Sequence, residues 1–243
     1  MLECQATDRR SVYAAVGACI AQNASVVIWV DGMHATAPKT KTAGVILAAG
    51  ASTRMGRPKQ LLILDGQPLL QRVLQAALAS NLDQVVLVLG HRAADIRRTL
   101  GAAADPRRLH VVVNPDYQNG MAGSLKTGVR AAMAGHSGVM ILLADHPFLN
   151  TALINQVLRA FLTSDKAICA PVYNGRRGHP VCLERRFFAD ILSLSGDVGA
   201  RDILRRHADQ VQTIQLTDGR AFMDIDTPAD LRKLHAAGCR HPD

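Results

Sequence analysis

The sequence predicts an α/β fold of three layers, with helices packed on both faces of a mostly parallel central sheet. Three observations carry that prediction. Short, continuous apolar runs (Val45–Ala49, Val85–Leu89, Leu109–Val113, Val139–Leu143) recur between helical stretches and read as strands buried on both faces. Apolar residues make up 48% of the chain but aromatics only 4%, which suits helices on a parallel sheet better than a β-sandwich. And 243 residues are enough to bury a sizeable core, most simply as one domain of roughly 200 residues.

Residues 1–41 stand apart from that pattern and are predicted to be an N-terminal extension and linker, with the domain over 42–243. Val12 to Val30 is largely apolar and follows Arg9-Arg10, but Gln22, Asn23 and Ser25 interrupt it, so a signal or membrane segment is disfavoured. A helix from about Ser11 to Ala21, a strand from Val26 to Val30 and a linker from Asp31 to Thr42 is the plainer expectation. The five cysteines (Cys4, Cys19, Cys169, Cys182, Cys239) are scattered, without a Cys-x-x-Cys pair, and read as reduced thiols of a cytoplasmic protein rather than a disulfide frame or zinc site. The net charge of +8 is dispersed, with no basic run interleaved with aromatics. A small anionic substrate explains such a surface as well as nucleic acid does, and net charge alone does not decide between them; no nucleic-acid or membrane partner is expected.

The elements follow in order. After the first strand and its loop, Leu61 to Leu64 is a short extended piece and Asp65-Gly66 a turn. Pro68 opens a helix to about Ser80, with Leu69, Leu70, Val73, Leu74, Ala77 and Leu78 on one face. Val85–Leu89 is the second strand, and a helix from His91 to Leu100 stops at Gly101. The strand Leu109–Val113 stops at Asn114-Pro115, and a glycine-bearing turn leads into a helix reaching about Ala134. Next come the strand Val139–Leu143, a helix from Thr151 to Leu162, and strands over Lys166–Val172 and Val181–Leu183. Helices over Phe187–Leu194 and Asp202–His207, an edge strand over Gln212–Leu216 and a last helix opened by Thr227-Pro228 complete the chain.

The loop after the first strand carries the clearest chemistry. Small residues (Gly50, Ser52, Gly56) let main-chain N–H groups approach an anion, and Arg54, Arg57 and Lys59 supply charge to neutralise it. A polyphosphate is the natural ligand, with an ordinary strand-to-loop connection carrying solvated cations as the bland alternative. The loop is no Walker A motif, because no Gly-Lys-Ser/Thr follows at the required spacing. It fits the dinucleotide fingerprint poorly: Ser52 replaces the second glycine, and the second strand ends in Gly90-His91 rather than an acid for a ribose. Gly120 to Ser124 at a helix start is a second phosphate or base candidate, with a serine cap as the bland alternative. Asp145 follows a strand end, where open α/β sheets bind ligands. Asp226 serves equally as a helix cap on local evidence.

The run Leu47-Ala48-Ala49-Gly50-Ala51-Ser52-Thr53-Arg54-Met55-Gly56-Arg57-Pro58-Lys59 resembles the signature loop of MobA-like nucleotidyltransferases, which share the glycosyltransferase-A-like fold. Within them it most resembles the molybdenum cofactor cytidylyltransferase branch, from about Thr42 to about Leu234. The resemblance implies a nucleotide-diphospho-sugar transferase-like (Rossmann-like) fold. It implies that Leu47, Ala48, Ala49 and Gly50 contact the base, with the Ala48-Ala49 form associated with cytidine, and that Gly120 and Ser124 face the nucleotide. Gly90 joins that set. Asp145 and Asp226 would hold Mg²⁺; Asp226 is preferred to Asp224 because it directly precedes Thr227-Pro228. His146 stands where the family usually has Gln or Met. Gly178-His179-Pro180 resembles the acceptor-side motif, and the run from Gly196 to Arg201, with Asp197 and Arg201, would line the acceptor pocket.

The implied reaction moves CMP from CTP to the phosphate of molybdopterin and releases pyrophosphate. Arg54 and Lys59 would take the β- and γ-phosphates and, with Asp145 and its metal, form the catalytic set. A phosphate nucleophile is already anionic, so no triad or dedicated base is required, and positioning and charge carry the catalysis. A target molybdoenzyme or its chaperone is the implied protein partner. The alternatives are the same scaffold with another nucleotide or acceptor such as a sugar phosphate, a non-catalytic cofactor carrier, and a nicotinamide-dependent oxidoreductase.

Overall fold

The computed structural model describes residues 41–100 and 107–236, apart from the side chains of Arg54, Lys233, His235 and Ala236. The helix and strand expected before residue 31, most of the linker, and the stop at Gly101 lie outside the described residues.

Strand β1 (Thr42–Ala48) begins three residues earlier than the apolar run suggests. The extra residues are held on both sides, because Ala43 pairs with Gln84 and Val139 in the neighbouring strands. β2 (Ile63–Leu64) and β3 (Gln67–Pro68) form a small hairpin that leads into α1 (Leu69–Leu78). Then come β4 (Gln84–Leu89), α2 (Ala93–Leu100), β5 (Leu109–Val113), α3 (Met121–Ala132), β6 (Gly138–Leu143) and α4 (Thr151–Thr163). The last third comprises β7 (Ile168–Tyr173), β8 (Arg176–Arg177), β9 (Val181–Glu184), α5 (Phe188–Ser193), α6 (Ala200–Arg206), β10 (Val211–Gln215) and α7 (Pro228–Ala236).

The main sheet runs in the order β10-β7-β9-β6-β1-β4-β5, with β8 paired to β7. The pairs β1–β4, β1–β6, β4–β5 and β10–β7 are parallel. β9 runs antiparallel between β6 and β7. This is the mixed, mostly parallel sheet that the sequence predicts, and the reversed strand has a consequence for the site.

Strand alternation divides the core into two layers. Val45, Val86, Val88, Val139 and Ile141 face α3 and α5, while Ile46, Leu87, Leu89, Met140 and Leu142 face α1, α2 and α4. Burying each such side chain contributes about 1.5–3 kcal/mol. Helix α3 lies so close to the sheet that a methyl group at Gly128 would sit 2.3 Å from a Val45 methyl. That contact explains a glycine in a helix interior, where it otherwise costs stability. A third, smaller cluster (Met55, Leu62, Leu69, Ile225, Leu231, Leu234) pins α7 beside the first loop. Among the described residues no helix is long and apolar enough to cross a membrane.

Candidate active site

Because β1, β4 and β6 are parallel, their carboxyl ends share one edge of the sheet, and the loops bearing Gly50–Lys59, Gly90 and Asp145 emerge together. β9 reaches the same edge by running the other way: Val181, its first residue, pairs with Ile141 of β6. The reversed strand therefore delivers Gly178-His179-Pro180 beside the end of β6. The His179 ring bonds through Nδ1 to the Ile141 carbonyl at 3.3 Å.

The first loop is shaped from inside by Gln60, a residue that sequence reading missed. Its buried amide donates to the carbonyls of Ala48 (3.0 Å) and Gly50 (2.9 Å). Ser52 adopts a left-handed conformation (φ 55°), and its hydroxyl accepts from the Lys59 N–H at 3.0 Å. Ala48 and Ala49 are buried and Gly50 is exposed, so the loop opens to solvent where the nucleotide set was expected. Burial, which residue type does not announce, gives Gln60 this place, so the sequence offered no signal for it. The Arg54 side chain lies outside the described residues.

At the far end of this loop, the Lys59 ammonium bridges two carboxylates. It contacts Asp145 Oδ2 closely and Asp226 Oδ1 at 3.0 Å. Burial alone would lower the Lys59 pKa, but the charge and hydrogen bonds of Asp145 and Asp226 outweigh it and hold it above 10.5. Main-chain geometry brings the two acids together, because the Ile225 N–H donates to the Asp145 carbonyl at 3.1 Å.

Helix capping takes neither acid. Asn150 caps α4 by accepting from the Leu153 N–H at 2.9 Å. Thr227 and Asp230 cap α7 reciprocally: Asp230 Oδ2 accepts from the Thr227 N–H at 2.8 Å, and the Thr227 hydroxyl accepts from the Asp230 N–H at 3.3 Å. The cap reading of Asp226 therefore gives way to the Lys59 pairing. Asp224 is exposed and lines the cavity described below.

Two convergent carboxylates that already share one cation suit a hard divalent ion. Among the described residues no group of three or more His, Cys, Asp or Glu could hold a metal alone. A magnesium-type ion held by one or two carboxylates takes its remaining ligands from water and substrate phosphates.

The second glycine turn is tied closely into the fold. Gly120 has φ +99°, and a Cβ there would lie 2.4 Å from the Gly196 backbone, so this loop is docked against Gly196-Asp197. The Ala122 N–H donates to the Gly196 carbonyl at 3.2 Å, and the Met121 N–H donates to Asp197 Oδ1 at 3.2 Å. The buried Ser124 hydroxyl accepts from the Asn114 amide at 3.0 Å and ties α3 to the end of β5. Gly90 backs onto the Ala49 carbonyl, 2.7 Å from where its Cβ would be. Gly120, Ser124 and Gly90 thus each have a packing duty that the sequence reading did not give them.

Beyond the carboxylates opens a cavity of about 820 Å³ that gathers His146, His179, Gly178, Asp197, Arg201, Arg176, Arg177 and Asp224. Tyr173 and Phe222 form an aromatic wall that sequence reading missed, with ring centroids 6.3 Å apart. Phe222 packs over Gly178, where a Cβ would come within 2.0 Å of the ring. Arg176, Arg177 and Arg201 are exposed along the cavity. The His179 pKa is lowered to about 4, mainly by desolvation and then by neighbouring His146, although its ring keeps some access to the cavity.

Residues 44–211 match the family described as the MobA-like NTP transferase domain. The chain belongs to that family. With this fold, it is a nucleotidyltransferase of the MobA-like family. It is 32% identical over 200 residues to the nicotine blue oxidoreductase of Paenarthrobacter nicotinovorans, covering 79% of this chain and 95% of that one. It is 26% identical over 186 residues to the molybdenum cofactor cytidylyltransferase of Escherichia coli K12, covering 76% and 91%. The crystal structure of Rv0371C of Mycobacterium tuberculosis H37Rv in complex with manganese superposes with a TM-score of 0.67 at 28% identity, covering 80% and 98%. The MobA-like resemblance and the mostly parallel α/β fold expected from the sequence are thus borne out.

Proposed function

We propose that this MobA-like chain transfers CMP from CTP to the terminal phosphate of molybdopterin and releases pyrophosphate. An oxygen of the acceptor phosphate attacks the α-phosphorus of CTP. The bond from that phosphorus to the bridging oxygen breaks, and pyrophosphate departs with the electron pair. The observation that carries this reading is the convergence of Asp145 and Asp226 on one cation, between the Gly50–Lys59 loop and a cation-rimmed cavity.

In this reading Leu47–Gly50 lie against the cytosine. Asp145 and Asp226 hold Mg²⁺, which would neutralise charge on the phosphates. Lys59 stays protonated and, with Arg54, meets the β- and γ-phosphates. His179, Gly178, Asp197 and Arg201 form the acceptor side. The nucleotidyltransferase domain is taken as 42–243 with residues 1–41 as an extension, working in the cytoplasm and handing its product to a molybdoenzyme or its chaperone.

A second reading has one observation in its favour, the 32% relative named as an oxidoreductase. The Gly90-His91 strand end, with no acid for a ribose, weighs against a nicotinamide cofactor bound in the usual way. The test is pyrophosphate release with Mg²⁺ and CTP, GTP, ATP or UTP, with and without molybdopterin, beside NADPH oxidation. Release only with CTP plus molybdopterin is the expected result. Release with another pair would change the nucleotide or the acceptor, and NADPH oxidation without release would replace the reading.

A further inference from the structure

The cavity has a feature to which the transfer reading gives no particular contact. His146 and His179 both line it, with ring centroids 6.0 Å apart and planes nearly perpendicular at 85°. His146 Nδ1 lies 3.1 Å from the Ala221 carbonyl, and His179 Nδ1 lies 3.3 Å from the Ile141 carbonyl. A carbonyl oxygen only accepts, so each Nδ1 carries the proton. In a neutral ring Nε2 is then a bare acceptor. Neither Nε2 has a protein hydrogen-bond partner among the described residues. The cavity is therefore lined by two imidazoles of one tautomer, the aromatic rings of Tyr173 and Phe222, and exposed arginines.

Charge explains why imidazoles suit this place better than carboxylates. A carboxylate would accept N–H donors equally well, but beside Asp145 it would repel the incoming phosphate. An imidazole in this tautomer accepts without adding negative charge. The guanidiniums of Arg176, Arg177 and Arg201 can attract the anionic end of the same ligand.

We propose that His146 and His179 act as a pair that reads the acceptor, their Nε2 atoms accepting hydrogen bonds from an N–H edge of a planar heteroaromatic ring whose anionic end lies toward the arginines. The proposal rests on the cavity being the acceptor site, as in the reading above, and adds which chemical edge of the acceptor is read and by which residues. His146 thereby becomes a specificity residue.

The test uses the full chain and two fluorescent probes in anisotropy titrations without nucleotide. Pterin-6-carboxylate offers N–H donors and an anionic group; 1,3-dimethyllumazine-6-carboxylate keeps the bicyclic ring system and the anion but has no N–H. The pterin should bind about tenfold more tightly, because the methylated ring leaves acceptors without partners. His146→Asn and His179→Asn keep a donor near the Nδ1 position and remove Nε2. Each should weaken the pterin and spare the methylated ring, collapsing the ratio toward one, with thermal melts checking that both variants fold.

Equal binding of the two probes, no binding of either, or a ratio unchanged in both variants would overturn the proposal. CTP–Mg²⁺ binding, measured by calorimetry on the same samples, keeps the two ideas distinguishable. Equal binding of the two probes by the parent protein, with its CTP binding intact, sinks the histidine pair alone. Discrimination without any CTP binding sinks the cytidylyl reading.

Discussion

The carboxylate cluster and the cavity beside it share a sheet edge but solve opposite problems. Around Lys59 each charge meets an opposite one, and the main chain holds the groups in place through Gln60, the Ile225–Asp145 bond and the Thr227–Asp230 cap. Around His179 the exposed guanidiniums of Arg176, Arg177 and Arg201 lie near a half-buried neutral imidazole. The first region is built to hold charge at fixed positions, which phosphoryl-type chemistry rewards. The second, on the reading proposed above, would admit an anion and read its shape. Their separation implies that chemistry and recognition can be damaged independently.

Asp145→Asn should break that independence least and activity most. It keeps the side-chain shape, removes a charge from the cation site and leaves the cavity wall intact. Pyrophosphate release should fall by about 10²–10³-fold, as expected for the loss of one preorganised charge contact in the transition state. Acceptor affinity should change little. An equal loss in acceptor binding would show that the two regions are one.

Lys59→Met probes the same cluster from the cation side. On the metal assignment proposed above, a divalent ion would displace the ammonium from Asp145 and Asp226. The variant should therefore bind Mn²⁺ more tightly in calorimetry without nucleotide, while transfer falls by about 10²-fold. Unchanged metal affinity would mean that the carboxylates meet the metal elsewhere.

Gly120→Ala tests the seam between the regions. Its φ of +99° and the 2.4 Å approach of the Gly196 backbone leave no room for a methyl group. A cost of about 1–3 kcal/mol in denaturant unfolding is expected. A raised acceptor KM should accompany it, because Asp197 and Gly199 follow directly in the displaced loop. A KM unchanged in a destabilised variant would detach that loop from acceptor binding.

The fold was more legible than the site because it is written locally. Continuous apolar runs gave β1, β4, β5 and β6, and Pro68 and Thr227-Pro228 marked where α1 and α7 begin. The reversed direction of β9 was not legible, since strand direction is set by the connections and the partners that β6 and β7 offer. Asp226 illustrates the same limit at the site. Its local context fits a helix cap equally well, and only the Thr227–Asp230 pair, seen in three dimensions, releases it for Lys59. Lys59 carried a visible charge but not a visible partner, because its two acids lie 86 and 167 positions away. Gln60, Tyr173 and Phe222 left no motif, because burial and packing, rather than residue type, give them their places.

The smallest expected effect separates the regions by pH. In the unfolded chain His179 titrates near 6.5, and in the folded protein near 4, because burial and His146 disfavour the imidazolium. Between those values the unfolded chain binds more protons, so stability is fully present above pH 6.5 and declines as the pH falls toward 4. The ring's access to the cavity moderates the loss to about 1 kcal/mol. Urea midpoints for the parent protein and His179→Asn, taken from pH 7.5 to 4.5, should converge on the acid side. Lys59 contributes nothing to that slope, since its pKa lies above 10.5. Parallel curves would place the acid sensitivity elsewhere and remove the argument that His179 is held neutral.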